Sequence, residues 1–135
     1  MPELERISAT IPKELLRELD ALLSHEKYAS RSEALRDALV EFIAERKWRR
    51  RIAGTRRAVI TLVYDHGVRG LTDRLLDIQH RAGALIVSTL HWHLDSRRCL
   101  EVLLVQGRAQ RIAALAEQLE RLRGVEQLKL VVLGR

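Results

Sequence analysis

Two histidines and the chain's single cysteine fall within nine residues, in the stretch TLHWHLDSRRCLEV (residues 89–102). Residues two apart on a strand share a face, so His91 and His93 point together and Trp92 points away. A three-residue hairpin loop, Asp95 to Arg97, sets His93 across from Cys99. His91 then lies across from Glu101 and diagonal to Cys99, and opposed side chains are about 4.5–5.5 Å apart at Cβ. A two-residue loop would turn Cys99 to the other face. Two imidazoles and a thiolate form a borderline-soft donor set that suits Zn, Cu or Ni. A closed site needs a fourth donor, for which His80 and His66 are candidates. The spacing matches none of the common zinc-finger patterns. A lone buried cysteine otherwise serves as a small apolar residue. A Cys99 nucleophile with His93 as base lacks an evident oxyanion site or substrate cleft, so an enzyme is not expected.

The elements that must position these residues lie in the second half of the chain. AVITLVYD (Ala58 to Asp65) reads as a strand, and LTDRLLDIQHRA as an amphipathic helix carrying His80. ALIVSTLHWHL and RCLEVLLVQG read as two further strands. RAQRIAALAEQLERLRG reads as a helix closed by Gly124, and VEQLKLVVLG as a last strand. The order βαββαβ is that of ferredoxin-like and ACT domains: a four-stranded antiparallel sheet with both helices on one face.

The first half is a different unit. RISATI alternates, with Ile7, Ala9 and Ile11 on one face and Arg6, Ser8 and Thr10 on the other. Pro12 suits the first turn of a following helix, KELLRELDALLSHE. Ser30-Arg31-Ser32-Glu33 fits a capping box opening a second helix, with Ala34, Leu35, Ala38, Leu39, Phe42 and Ile43 on one stripe. A lone strand has no pairing partner, and fewer than 60 residues bury too little surface to stand alone. A two-fold dimer resolves both problems: the strands of two chains pair antiparallel, and four helices share a core. The outward ribbon then presents Arg6, Ser8 and Thr10 in a shape that fits the DNA major groove. Ser30, Arg31 and Ser32, at a helix N-terminus, are placed to meet phosphate.

Between the halves, RKWRRRIAGTRR (residues 46–57) carries seven basic residues and no acid. It reads as the end of the second helix or a solvated linker, with a phosphate-contacting arm as the alternative. The organisation expected is therefore α+β: a ribbon-helix-helix domain over 1–50, a basic linker over 51–57 and an ACT-like domain over 58–135. The 135 residues carry a formal net charge of +6, which suits a polyanionic partner such as DNA. No run approaches a membrane span, and the acidic N-terminal segment lacks an apolar signal, so a cytoplasmic protein without a membrane partner is expected. One cysteine forms no internal disulfide.

SRSEALRD (Ser30 to Asp37) after an RxSxT strand resembles the ribbon-helix-helix regulators. Together with Gln79-His80, Thr89-Leu90-His91-Trp92-His93 and Cys99-Leu100-Glu101, the whole chain resembles the nickel-responsive regulator (NikR) family. That resemblance implies a homotetramer, a dimer of dimers, with the ACT-like domains central. It implies one Ni(II) per subunit, held square-planar by His91, His93 and Cys99 with His80 of a neighbouring subunit. Tyr64, Gln79 and Glu101 match positions that orient the ligands. Glu33 and Asp37 match residues at a possible interdomain cation site, and His66 matches a position linked to weaker metal sites. The implied function is nickel-dependent repression of nickel-uptake genes through a palindromic double-stranded operator. Departures are RAG after His80, where some members carry more histidines, Val68 beside a retained basic Arg69, and Ser8 in place of a common threonine. Competing expectations are a metal-independent ribbon-helix-helix repressor or antitoxin, and the same fold sensing Zn or Cu.

Overall fold

A computed structural model describes residues 2–133. The chain divides into two compact units, Met1–Lys47 and Trp48–Arg135.

The first unit is helical. α1 spans Lys13–Glu26 and α2 spans Arg31–Arg51, the latter running on into the second unit. Pro12 sits one position before α1, at φ −54° and ψ 138°, and its carbonyl accepts from Leu16 N at 3.1 Å. Proline lacks only a donor, so this place costs it nothing. The expected strand over Arg6–Ile11 does not form: residues 2–12 have no regular structure, and Ile7 is 76% exposed. The physical reason is pairing. The dimer argument gives this segment a second chain as its only partner, and a single chain offers none. The helices show the same deficit. α1 contains no buried residue, and Leu15, Leu22, Leu39, Phe42 and Ile43 are exposed.

The start of α2 follows the capping box in modified form. Ser30 Oγ accepts from Glu33 N at 3.2 Å, but Glu33 reaches one residue further back than expected, to Ala29 N at 2.9 Å. The basic run is helical as far as Arg51, and Ile52–Gly54 precede the next strand.

The second unit contains β1 (Thr55–Asp65), α3 (Leu71–Ala82), a 3-10 turn (Gly83–Leu85), β2 (Ile86–His93), β3 (Arg98–Arg108), α4 (Ala109–Glu120) and β4 (Val125–Val132). The sheet order is β2-β3-β1-β4, with every neighbouring pair antiparallel. This is the expected ferredoxin-like arrangement. β1 begins three residues earlier than its apolar pattern suggests, because Thr55, Arg56 and Arg57 pair with Arg108, Gly107 and Gln106. Ladder pairing outweighs the weak strand preference of two arginines.

Alternation along β1 buries Ala58, Ile60, Leu62 and Tyr64, and β3 buries Cys99, Leu103 and Val105 on the same face. Leu71 and Leu75 of α3 and Ile112, Leu115 and Leu119 of α4 complete that core. On the opposite face, Leu90, Trp92, Leu104 and Val131 are exposed.

Gly124 does not close α4, which ends at Glu120 with Arg121 still right-handed. It instead turns the chain into β4 at φ +101°, where an added Cβ would lie 2.7 Å from Leu71 Cδ2. Strain and overlap act together, so Gly124→Ala should lower stability by about 1–3 kcal/mol. Urea unfolding of the two proteins side by side measures it; equal midpoints would remove the argument.

Candidate metal centre

The sheet register assembles the centre. His93 pairs with Cys99 and His91 with Glu101 across β2 and β3. On the other side of β3, Tyr64 pairs with Cys99 and Leu62 with Glu101. Pleating puts all of these on the core face. Of the two loop lengths the sequence leaves open, the three-residue one, Asp95 to Arg97, is what forms. Leu94 N donates to Arg98 O at 2.9 Å, and Asp95 Oδ1 accepts from Arg97 N and Arg98 N at 2.8 and 2.7 Å. An aspartate folding back on the amides that follow it is a turn-forming device. Cys99 thereby lands on the face of the histidines.

One donor atom from each of His91, His93 and Cys99 lies within 4.8 Å of the others. Cys99 Sγ is 3.3 Å from His93 Nδ1, and the two imidazole rings are 4.9 Å apart at 65°. Metal–ligand bonds of about 2.0–2.3 Å place any two donors of one ion at most ~4.6 Å apart. The set therefore fits a single borderline-soft ion with little side-chain rotation. The two histidines are exposed and Cys99 is buried, so the centre opens toward β2, an edge strand. Among the described residues this is the one such grouping of three or more His, Cys, Asp or Glu.

The surroundings tune these donors. Burial pushes the Cys99 thiol above its ordinary value; a hydrogen bond from Tyr64 opposes this, and the negative charges of Glu101 and Asp95 add to it. Without a metal the sulfur therefore carries a proton at neutral pH. Tyr64 Oη approaches His91 Nδ1 at 3.5 Å, and its phenol is pushed upward by burial first, then by Glu101 and Cys99. Glu101 is buried and accepts from Gln79 Nε2 at 2.7 Å, which anchors the last turns of α3 beside the centre. Tyr64, Gln79 and Glu101 thus stand around the histidine and cysteine donors.

His80 does not join the three donors. It is exposed on the last turn of α3 and lines a depression of about 370 Å³ with Leu76, Gln79, Gly83 and Ile86. Successive helix positions are about 100° apart, so Gln79 turned toward Glu101 leaves His80 facing elsewhere. The His66 ring lies 6.4 Å from that of His93, outside the grouping of three.

In the first unit, Arg6, Ser8 and Thr10 are exposed. Arg31 holds Asp20 of α1 with two bonds of 2.8 Å, and Ser30 caps α2. Ser32 is exposed beside them. Glu33 and Asp37 also have local partners, Ala29 N and the Tyr28 hydroxyl at 3.0 Å. Sequence reasoning missed the Asp20–Arg31 and Tyr28–Asp37 contacts, because neither pair has a short-range spacing that marks it.

Two family models match the chain: the NikR C terminal nickel binding domain over residues 57–133, and the ribbon-helix-helix protein, copG family, over residues 5–46. The chain is also 44% identical over 133 residues to a Methanocaldococcus jannaschii protein named "Putative nickel-responsive regulator", covering 98% of this chain and 94% of that one. The chain belongs to the nickel-responsive regulator family. A relative of the same name from Methanothrix thermoacetophila is 44% identical over 128 residues, covering 95% of this chain and 91% of its own. The family is one of transcription regulators rather than enzymes. Solved structures agree on the fold. An uncharacterized Thermotoga maritima protein superposes with a TM-score of 0.55 at 18% identity, over 60% of this chain and all of its own. The ACT domain of a Chlorobium tepidum GTP pyrophosphokinase gives 0.51 at 14% identity, over 58% of this chain and all of its own. In this NikR-family chain, therefore, the hairpin carrying His91, His93 and Cys99 is an edge feature of an ACT-like sheet.

Proposed function

We propose that this chain is a nickel-dependent repressor of nickel-uptake genes that binds a palindromic operator when loaded. The observation that carries the reading is the convergence of His91, His93 and Cys99 within one ion's reach. When bound, Ni(II) supplies a centre of square-planar preference that nitrogen and thiolate donors satisfy together. His80 is exposed and directed away from its own chain's donors, which supports its role as fourth donor to a neighbouring subunit. That sharing needs at least two subunits; one ion per subunit and a dimer of dimers are what the family resemblance implies, and pairing of the first unit with a second copy would supply the other interface. Tyr64, Gln79 and Glu101 orient the donors. In the first unit, the exposed leucines and Phe42 of α1 and α2 support pairing with a second copy. The paired ribbon then presents Arg6, Ser8 and Thr10 to base edges, and Ser30, Arg31 and Ser32 approach phosphate. Arg31 reaches phosphate only by sharing or leaving Asp20. Glu33 and Asp37 are proposed to meet a cation at the second domain after exchanging their local partners. The proposed domains are 1–50 and 58–135, joined by basic residues 51–57.

Metal and operator are coupled only through a difference in nickel affinity between DNA-competent and other arrangements. Operator DNA must then tighten nickel by the factor by which nickel tightens DNA. The test is an anaerobic Ni(II) titration followed in the near ultraviolet, with and without a DNA fragment selected from genomic DNA by the loaded protein. A thiolate-to-metal band saturating at one nickel per chain, with tighter DNA binding at saturation, is expected. A metal-independent repressor would bind the same fragment equally with and without nickel.

A further inference from the structure

The hairpin carrying His91, His93 and Cys99 is fastened at its turn by a contact that no part of the nickel reading uses. His93, Cys99 and Tyr64 form one row across β2, β3 and β1. In the next row outward Asp65 pairs with Arg98, and beyond it both connections leave the sheet. There Arg97 Nη2 donates to Asp65 Oδ2 at 2.7 Å, and Gly67 N donates to Asp65 Oδ1 at 2.8 Å. His66 N donates to Arg97 O at 2.9 Å, so backbone and side chain of Arg97 both bind the segment after β1. Asp95 holds the other side of the turn through the amides of Arg97 and Arg98.

We propose that Asp65 and Arg97 are positioning residues for metal capture: their clamp ties the β2–β3 hairpin to the segment following β1 and holds His93 and Cys99 in register before an ion arrives. The reason is geometric. β2 is an edge strand with neighbours on one side only, so its turn is held to the rest of the sheet through β3 and through whatever contacts the turn itself makes. His93 and Cys99 lie one row from the turn, with the Leu94–Arg98 bond beyond them, so movement of the turn shifts both donors. Tying the turn to β1, a central strand, transfers the rigidity of the sheet to the donors. Ligands held in place by surrounding bonds bind metal more tightly than ligands that must be ordered on binding. The Arg97 side chain is 74% exposed and that of Asp65 14% exposed, so the ion pair alone contributes modestly and the Asp65–Gly67 bond carries part of the effect.

The inference rests on the nickel reading for its ligand, but its first measurement needs no metal. Amide exchange of the metal-free protein should quicken at His66, Leu94 and Asp95 in Arg97→Ala. Chelator competition with Ni(II) should then show a Kd raised about three- to tenfold in Arg97→Ala and further in Asp65→Ala. Arg97→Lys should restore affinity to within about twofold. Band position, nickel stoichiometry and urea midpoint should match wild type in Arg97→Ala, which separates misplaced donors from a damaged fold. Unchanged amide exchange, or an unchanged nickel Kd in Arg97→Ala and Asp65→Ala, would overturn the clamp. Failure of the wild type itself to bind nickel would overturn the proposed function, and the exchange measurement would then decide the clamp alone.

Discussion

Replacing Cys99 with alanine is expected to abolish the thiolate-to-metal band and weaken Ni(II) binding by more than ~100-fold, since even residues that merely orient ligands change affinity by about 10–100-fold. The sulfur is buried and 3.3 Å from His93 Nδ1, so alanine removes the one sulfur atom of the grouping. The fold should tolerate the change: a cysteine side chain is small, and Tyr64, Leu62 and Leu103 keep their places in the core. A pH dependence accompanies the prediction. Burial, the largest influence on the thiol, raises its pKa above the ordinary value in the metal-free protein. Below that raised value binding must expel the cysteine proton, so the apparent affinity rises with pH, about tenfold per unit from this proton alone. The sign is opposite for folding of the metal-free chain. A thiol with a raised folded-state pKa favours the folded state at low pH, and that contribution declines as pH rises through the unfolded and then the folded value. Titrations at pH 7 and 8, on wild type and Cys99→Ala, test both parts. A pH-independent Kd in wild type would show that the sulfur is not the proton-releasing donor. A variant that binds as tightly as wild type would remove Cys99 from the centre.

How far the sequence made this centre legible depends on the range of the forces involved. The helix carrying Gln79 and His80 was readable to the residue, because its apolar period and boundaries are local: Leu71–Ala82 is what forms. The pairing of His93 with Cys99 was readable once the loop was taken as Asp95 to Arg97, and Asp95 bonding to the Arg97 and Arg98 amides is the local chemistry that selects it. Gly124 was misread because a helix-closing glycine and a glycine squeezed against Leu71 look alike in one dimension. The Asp65–Arg97 clamp joins residues 32 apart, so no window of sequence contains it. The first β segment marks the other limit. Its alternation is clear in RISATI, yet a strand is defined by its partner, and the partner that the dimer argument requires is another molecule. The pattern in the sequence is a statement about an assembly, which a single chain does not display.

That assembly gives the second large effect. Arg6→Ala is expected to weaken operator binding by at least ~100-fold in the presence of nickel while leaving the nickel titration unchanged. Arginine paired bidentately with guanine O6 and N7 contributes about 1–3 kcal/mol of discrimination, or roughly 5- to 150-fold per contact. A two-fold ribbon carries two copies of Arg6, and a dimer of dimers carries four, so the loss multiplies across half-sites. Arg6 is exposed, so its removal disturbs no packing. Arg31→Ala supplies the contrast. A phosphate contact carries no sequence information, so its loss should lower affinity for operator and unrelated DNA alike and reduce the salt slope by about one per contact. Arg31 also braces α1 against α2 through Asp20, so Asp20→Asn serves as the control for the bracing. Binding of each variant to the selected fragment and to a scrambled one, at two salt concentrations, separates the roles. If Arg6→Ala lowers affinity for both DNAs equally, Arg6 meets phosphate and not bases, and sequence reading belongs to Ser8, Thr10 or the deformability of the operator. If affinity is unchanged for both, the ribbon does not enter the groove, and recognition must be sought on the basic residues at the C-terminal end of α2.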